Sequence, residues 1–499
     1  MPSPRQWTLV ATIVGSSLTF VDATVVNVAL PALQAELHAT ITDVQWVIEA
    51  YALFLGGLIL VGGSLGDQFG RKRMFLLGVW LFTLASIACG MASSTTALIV
   101  ARGVQGIGAA FLVPGSLAII SATFDDIGER GRAIGAWSGF SAITSAIGPV
   151  VGGWLIAHVS WRAVFFINVP LAVVVIALAS RFMNESRDTS RSANVDWTGA
   201  ALAVLGLGTL VFALLESPRL TGHSVVVLGT IAVGVLSLIA LVVVERRAST
   251  PMLPLGLFAS RTFSAANLLT LLLYGAIAIV LWLIPLDLIQ VQRYSATAAG
   301  AALLPFPLLM FALSRWSGGL VGRIGSRLPL TLGPIVVAVG LVLLARVGTS
   351  GSYWTTMFPA VAVLGLGMAV VVAPLTTTVM NAVEAQHAGV ASGVNNAVAR
   401  VAGLITIAVL GVVLVGSFDR HISAALDRLP LSAAARASID RELPKLAGAE
   451  VDETLVTDHR AVRDAIDDAF ARSFRLVMNV AAALAVAAAG AGALVLQKT

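Results

Sequence analysis

The 499-residue chain is predicted to fold as an all-α membrane protein with fourteen transmembrane helices. Three observations predict it. Hydrophobic residues make up 58% of the chain and charged residues 11%, and uncharged runs longer than about 18 residues recur from end to end. A charged hairpin between two apolar runs, GGSLGDQFGRKR from Gly62 to Arg73, returns as GGLVGRIGSR from Gly318. Gly63 matches Gly318, Leu65 matches Leu320, Gly70 matches Gly325 and Lys72 matches Arg327, the internal repeat expected of a duplicated helical bundle. Arginines crowd the short loops at one end of the helices and are sparse at the other.

Taken in order, the apolar segments lie at roughly 8–30, 45–65, 74–93, 96–118, 133–156, 163–183, 197–216, 223–244, 263–285, 298–320, 328–347, 355–378, 389–415 and 474–496. The first is too long for the apolar core of a signal peptide and carries Asp22, so it is read as a retained helix. An even helix count puts both termini on one side. The loops on that side carry Arg71, Lys72, Arg73, Arg130, Arg132, Arg181, Arg187, Arg191, Arg246, Arg247, Arg261, Arg323 and Arg327, against Arg162, Arg219, Arg293 and Arg346 opposite, so the termini are expected in the cytoplasm. The expected organisation is a first bundle over 1–195, two further helices and a linker over 196–262, helices 9–13 over 263–416, an extracytoplasmic loop over 417–473 and a last helix and tail over 474–499. Short amphipathic runs such as Val462 to Phe474, broken by Pro and Gly, make that loop a small helical cap.

Composition also excludes. The formal charge of +5 reflects anchoring arginines, with no dense basic cluster interleaved with aromatics, so nucleic acid is not an expected partner. The single Cys89 cannot form an intramolecular disulfide and reads as core. The only lysines, Lys72, Lys445 and Lys498, follow no GxxxxG phosphate cradle, so a nucleotide-driven pump is not expected without a separate ATPase subunit, no cofactor is expected, and a proton gradient is the expected energy source. The acidic run Asp125 to Glu129 resembles half of a membrane prenyl transferase's magnesium-diphosphate site, but no second cytoplasmic acidic cluster faces it, so an enzyme and a metal site are not expected.

Charges inside apolar helices point to function because each costs several kcal/mol unless it meets a partner or water. Counting at about 1.5 Å per residue places Asp22 roughly 12 Å, Glu49 roughly 8 Å and Arg102 roughly 9 Å below one face, a shared depth band. Asp22 or Glu49 then binds a proton with Arg102 beside it, or else the three form a permanent ion pair that orients helices 1, 2 and 4. Glu49 is also open to the reading of a hydrated rim group. In the second half the sparse polar residues are Asp287 near a helix end, where solvation is the competing reading, and Asn395, Asn396 and Arg400, with Arg400 near the midplane. Phe20, Trp46, Trp137, Trp282 and Phe306 either line a site for flat or cationic compounds or belong to lipid-facing belts. The candidate cavity set is Phe20, Asn27, Trp46, Trp137, Trp282, Asp287, Asn395 and Arg400. Gly148, Pro149, Gly152 and Gly153 strip side chains from one face of helix 5 and allow close helix approach.

The Gly63 to Arg73 hairpin resembles the loop between helices two and three of the major facilitator superfamily. FVDATVVNVALP from Phe20, WVIEAY from Trp46, ARGVQGIGAA from Ala101, GPVVGG from Gly148 and WRAVFFINVP from Trp161 resemble its fourteen-helix drug:H+ antiporters of EmrB/QacA type. The hairpin departs from the pattern at Gln68, where a basic residue is usual, and the second copy has Gly322 in the aspartate position. The resemblance implies the major facilitator fold, with two six-helix bundles and two inserted helices rocking about a central cavity. It implies proton-coupled efflux of hydrophobic, cationic drugs across a bacterial cytoplasmic membrane, the alternative being export of one endogenous metabolite or lipid. Partners are then small molecules, protons and lipid, and a monomer is expected. It further implies that Glu49 serves cationic drugs, that GPVVGG marks an antiporter, and that Gly63, Asp67, Gly70, Arg71 and Lys72 form a conformational loop. Asp67 is expected there to accept from a helix N-terminus and to pair with arginines of neighbouring loops.

Overall fold

The computed structural model describes residues 3–124, 126–187, 196–216, 220, 225–248, 251, 253–383, 388–452 and 458–495. Arg191, Arg219 and Lys498, and the side chains of Arg130 and Arg132, lie outside the described residues. Among those described the chain is helical and contains no strand. Thirteen helical segments are long and apolar enough to cross a bilayer. In the fifth helix the described apolar stretch is Ile147–His158.

The first half comprises α1 (Pro4–Glu36), α2 (Ile41–Phe69), α3 (Arg71–Gly90), α4 (Thr95–Thr123), α5 (Ile127–His158), α6 (Ala163–Phe166) and α7 (Asn168–Phe182). Their starts follow local chemistry. Ser3 with Gln6 and Thr40 with Asp43 form reciprocal capping boxes, and Ser94 accepts from the Ala97 N–H. The sixth expected helix is divided at Ile167, beside a buried knot in which Asn168 donates to Ser86 Oγ (2.9 Å) and Ser86 to the Phe165 carbonyl (2.9 Å).

Two helices follow, α8 (Trp197–Glu216) and α9 (Val225–Arg247). Leu207, Val211 and Leu215 of α8 pack with Leu53 of α2 and with Leu404 and Ala408, so α8 lies along the seam between the halves. α9 packs on α8 and presents Leu228, Leu236 and Ile239 outward, as a lipid-facing helix should.

The second half comprises α10 (Arg261–Leu286), α11 (Ala296–Ala302), α12 (Pro305–Gly318), α13 (Leu320–Ile324), α14 (Arg327–Leu344), α15 (Met357–Asn381), α16 (Ala388–Leu426), α17 (Ala433–Glu442) and α18 (His459–Ala493). α10 continues into a π-helical turn, Asp287–Val291. The tenth expected helix, read as continuous over 298–320, is instead three pieces. Pro305, which has no N–H to donate, begins α12, and Gly319 separates α12 from α13. At 39 and 35 residues, α16 and α18 are about 58 Å and 52 Å long, well beyond a bilayer core of about 30 Å. Their projecting ends, with α17 and the turn Leu443–Gly448, build a helical cap where the loop over 417–473 was expected.

The halves meet near the cap. Gly153 of α5 lies against the backbone of Ala296 and Thr297, and Gly300 of α11 against the Pro149 carbonyl. Gln34 of α1 accepts from Gln290 (2.8 Å) and donates to the Lys445 carbonyl (3.1 Å). A second seam runs along α2 and α16, where Gln45 donates to the Ile407 carbonyl (3.5 Å) and Gly56 faces Arg400.

Candidate functional site in the helical seam

Asp22 sits mid-way along α1, 1% exposed, and its carboxylate is fully engaged. Arg102 of α4 donates to Oδ2 at 2.5 Å and Gln105, one turn further on, donates to Oδ1 at 2.8 Å. Arg102 also donates to Gln105 Oε1 (2.7 Å) and to the Val47 carbonyl of α2 (3.0 Å), and its guanidinium lies over the Tyr51 ring at 4.3 Å. Gly106 touches the Tyr51 carbonyl and Gly108 the Phe82 backbone, so the ARGVQGIG run supplies both the charge and the close packing that buries it. Three helices, α1, α2 and α4, are thereby tied through the Arg102 guanidinium.

Glu49 shares the depth but not the network. It is 0% exposed, and neither carboxylate oxygen has a hydrogen-bond partner among the described residues. The rim reading does not survive this burial. Spacing along α2 puts Glu49 on the face of Gln45 and Gly56, which is the face turned to α16. Ionised there it costs several kcal/mol, so it is the group of the seam with most to gain from a proton or a cation.

Across the seam, Arg400 of α16 is half-buried and makes no ion pair among the described residues. Asn395 donates to Asn267 Oδ1 (3.1 Å) and Thr270 Oγ1 (2.7 Å) on α10, while Asn396 is exposed and donates to the Ser392 carbonyl. Asp287 opens the π-helical turn 2% exposed, with Oδ2 lacking a partner, so it too is no solvated rim group.

The remaining cavity candidates scatter. Phe20 packs edge-on to Trp137 at 6.1 Å, and Trp137 donates to Ser16 Oγ at 2.9 Å. Asn27 donates back to the Ala23 carbonyl of its own helix. Trp46 points toward α8, donating to Glu216 (2.9 Å) and lying beside Phe212, because its place on α2 belongs to the α8 face. Trp282 is 1% exposed with Nε1 unpartnered.

In the glycine-rich motif two faces are used. Gly148 and Gly152 rest on Thr24 and Val25 of α1, while Pro149 and Gly153 contact α11 of the other half. In the hairpin, Asp67 accepts from Arg71 Nε (2.9 Å) and Nη2 (2.8 Å), a partner within its own loop. The N-terminus of α3 is capped by Glu185, which accepts from the N–H groups of Lys72 (3.0 Å) and Arg73 (3.2 Å). Gly70 has φ 112°, and any side chain there would strike the Glu185 carboxylate, which fixes glycine twice over. Lys72 closes the C-terminus of α7 by donating to the Ser180 (3.2 Å) and Met183 (2.7 Å) carbonyls. Gly63 lies against Pro114 of α4. Of the acidic run, Asp126 caps α5 by accepting from the Glu129 N–H (2.8 Å), and Asp125 lies outside the described residues.

The family model described as Major Facilitator Superfamily matches residues 12–407. The chain belongs to that superfamily. Similar superfamily proteins include the multidrug resistance protein Stp of Mycobacterium tuberculosis, 37% identical over 84% of this chain and 78% of its own. The puromycin resistance protein pur8 of Streptomyces alboniger is 35% identical over 85% of this chain and 84% of its own. The tetracenomycin C resistance and export protein of Streptomyces glaucescens is 34% identical over 82% and 76%. In fold the chain resembles a bacterial homologue of the human lysosomal transporter Spinster, crystallised inward-facing and unoccupied, with a TM-score of 0.68, 17% identity and 98% of each chain covered. As a multi-pass superfamily member it is a membrane transporter.

Sequence reasoning missed five participants: Gln105, Tyr51, Glu185, Asn267 and Thr270. Gln105 had a signal, since it stands three residues from Arg102 on the same helix face.

Proposed function

We propose that this transporter is a fourteen-helix, proton-coupled multidrug antiporter of a bacterial cytoplasmic membrane, with both termini cytoplasmic, that exports hydrophobic and cationic compounds. Its relatives are named as resistance and export proteins, which supports efflux. The observation that carries the coupling is the Asp22–Arg102–Gln105 network. A carboxylate, 1% exposed and bonded to α4 through Arg102, which in turn holds α2, can exchange its arginine for a proton and so change how those helices are held. Glu49, buried without a partner at the α2–α16 seam, supplies an anionic contact for a cationic substrate. With the cap outside, the closed contacts at Gln34, Gly153 and Gly300 belong to the inward-open part of the cycle.

One proton moving down 100 mV releases about 2.3 kcal/mol, which at about 1.4 kcal/mol per decade sustains roughly a 50-fold drug gradient. Inside-out vesicles from a pump-deficient bacterial host expressing the chain should accumulate ethidium when acidified inside and lose it on adding a protonophore. Accumulation that ignores the protonophore, or that requires ATP, contradicts proton coupling.

A further inference from the structure

Two hydrogen-bond donors beside the α2–α16 seam face no acceptor among the described residues. The Tyr51 hydroxyl of α2 is buried without a partner, in a residue 4% exposed whose ring is held from the other side by Arg102. The Arg400 guanidinium of α16 is half-buried and, among the described residues, unpaired. Gly56, five residues beyond Tyr51 on α2, lies so close to Arg400 that a methyl group there would sit 3.3 Å from the Arg400 Cβ. Ala397, three residues before Arg400 on α16, packs against the cluster that holds Tyr51, and Gly275, next to Tyr274 on α10, rests against the Ala402 carbonyl two residues beyond Arg400. Asn395, Asn267 and Thr270 continue the polar strip along α10 and α16. Leaving a guanidinium unpaired inside a bilayer is costly, and a buried hydroxyl without a partner adds to that cost. An anionic oxygen relieves both at once, and a guanidinium binds it with charge-assisted hydrogen bonds.

We propose that Arg400, Tyr51 and Tyr274 form an acid-binding subsite between the two halves that takes the carboxylate or phenolate of a hydrophobic organic acid. The subsite rests on the proposed efflux function and widens its substrate class, since Glu49 on the same face of α2, about 10 Å along the helix from Gly56, offers the opposite charge. Amphoteric compounds engage both ends. Because Tyr51 lies under Arg102, an acid bound at its hydroxyl is also one side chain removed from the carboxylate assigned to proton coupling.

The test uses the full-length protein in lipid nanodiscs and three anthracene probes of one shape: the carboxylate, the neutral alcohol and the aminomethyl cation. Arg400→Gln should weaken carboxylate binding by about ten- to hundredfold while leaving the alcohol and the cation within about twofold. Arg400→Lys should recover part of the loss, and Tyr51→Phe should cost the carboxylate a few-fold. Alcohol binding reports that each variant is folded. A wild type that does not bind the carboxylate, an Arg400→Gln that leaves it unchanged, or an equal loss of all three probes overturns the subsite. Restoration of Arg400→Gln by adding Glu49→Gln also overturns it, because Arg400 would then serve only as the Glu49 counter-ion. Proton-driven uptake of the cation probe by the same variant is read separately. If the wild type moves no probe on a proton gradient, the efflux reading fails whatever the binding shows.

Discussion

At the scale of single residues, two buried carboxylates stand in opposite circumstances. Asp22 is bonded by Arg102 and Gln105, whereas Glu49 has no hydrogen-bond partner among the described residues. Removing one member of a buried pair strands the other charge and typically costs about 3–5 kcal/mol, so Asp22→Ala should lower the denaturation temperature in detergent sharply. Glu49→Gln strands no charge and should leave that temperature unchanged or raise it, while weakening resistance to organic cations and sparing neutral drugs. Equal loss of every drug would instead put Glu49 on the proton path. The charged members of this site were legible in the sequence because an ionised side chain inside an apolar run announces its own cost. Gln105 and Tyr51 were not, since a neutral polar residue in such a run is ordinary until its partners are known.

At the scale of elements, the glycine-rich stretch of α5 joins the two halves. Gly300 packs on the Pro149 carbonyl and Gly153 on the backbone of Ala296, so no side chain fits between α5 and α11 while the cap end is closed. Gly300→Leu should hold the crossing apart, increase labelling of cysteines placed near Ala296 from the cap side, and abolish efflux. Unchanged labelling would show that the crossing does not gate that face. The hairpin is a second hinge element. Asp67→Ala and Glu185→Ala each remove an anion from the α2–α3–α7 junction and should slow transport severalfold while leaving equilibrium drug binding within a few-fold; loss of binding with normal alternation would make these groups ligands. Helix positions were readable because apolar length is a strong signal. The break of the tenth helix and the projecting ends of α16 and α18 were not, since a proline in a membrane helix is compatible with continuity and the hydropathy signal ends where the bilayer does.

For the whole molecule, closure at the cap end by Gln34, Gln290 and the Lys445 carbonyl gives one arrangement of the halves, and transport requires a second. The hairpin repeats in the sequence, yet the pairing of Glu185 with α3 is a use of the first copy that sequence symmetry did not reveal. What links the two arrangements in this account is the proton on Asp22. The most direct measurement is drug-dependent proton release from inside-out vesicles carrying wild type or Asp22→Asn at matched expression. Proton coupling through Asp22 predicts release with wild type and none with Asp22→Asn, while the variant still binds drug at equilibrium. Full drug-dependent release by Asp22→Asn would contradict it.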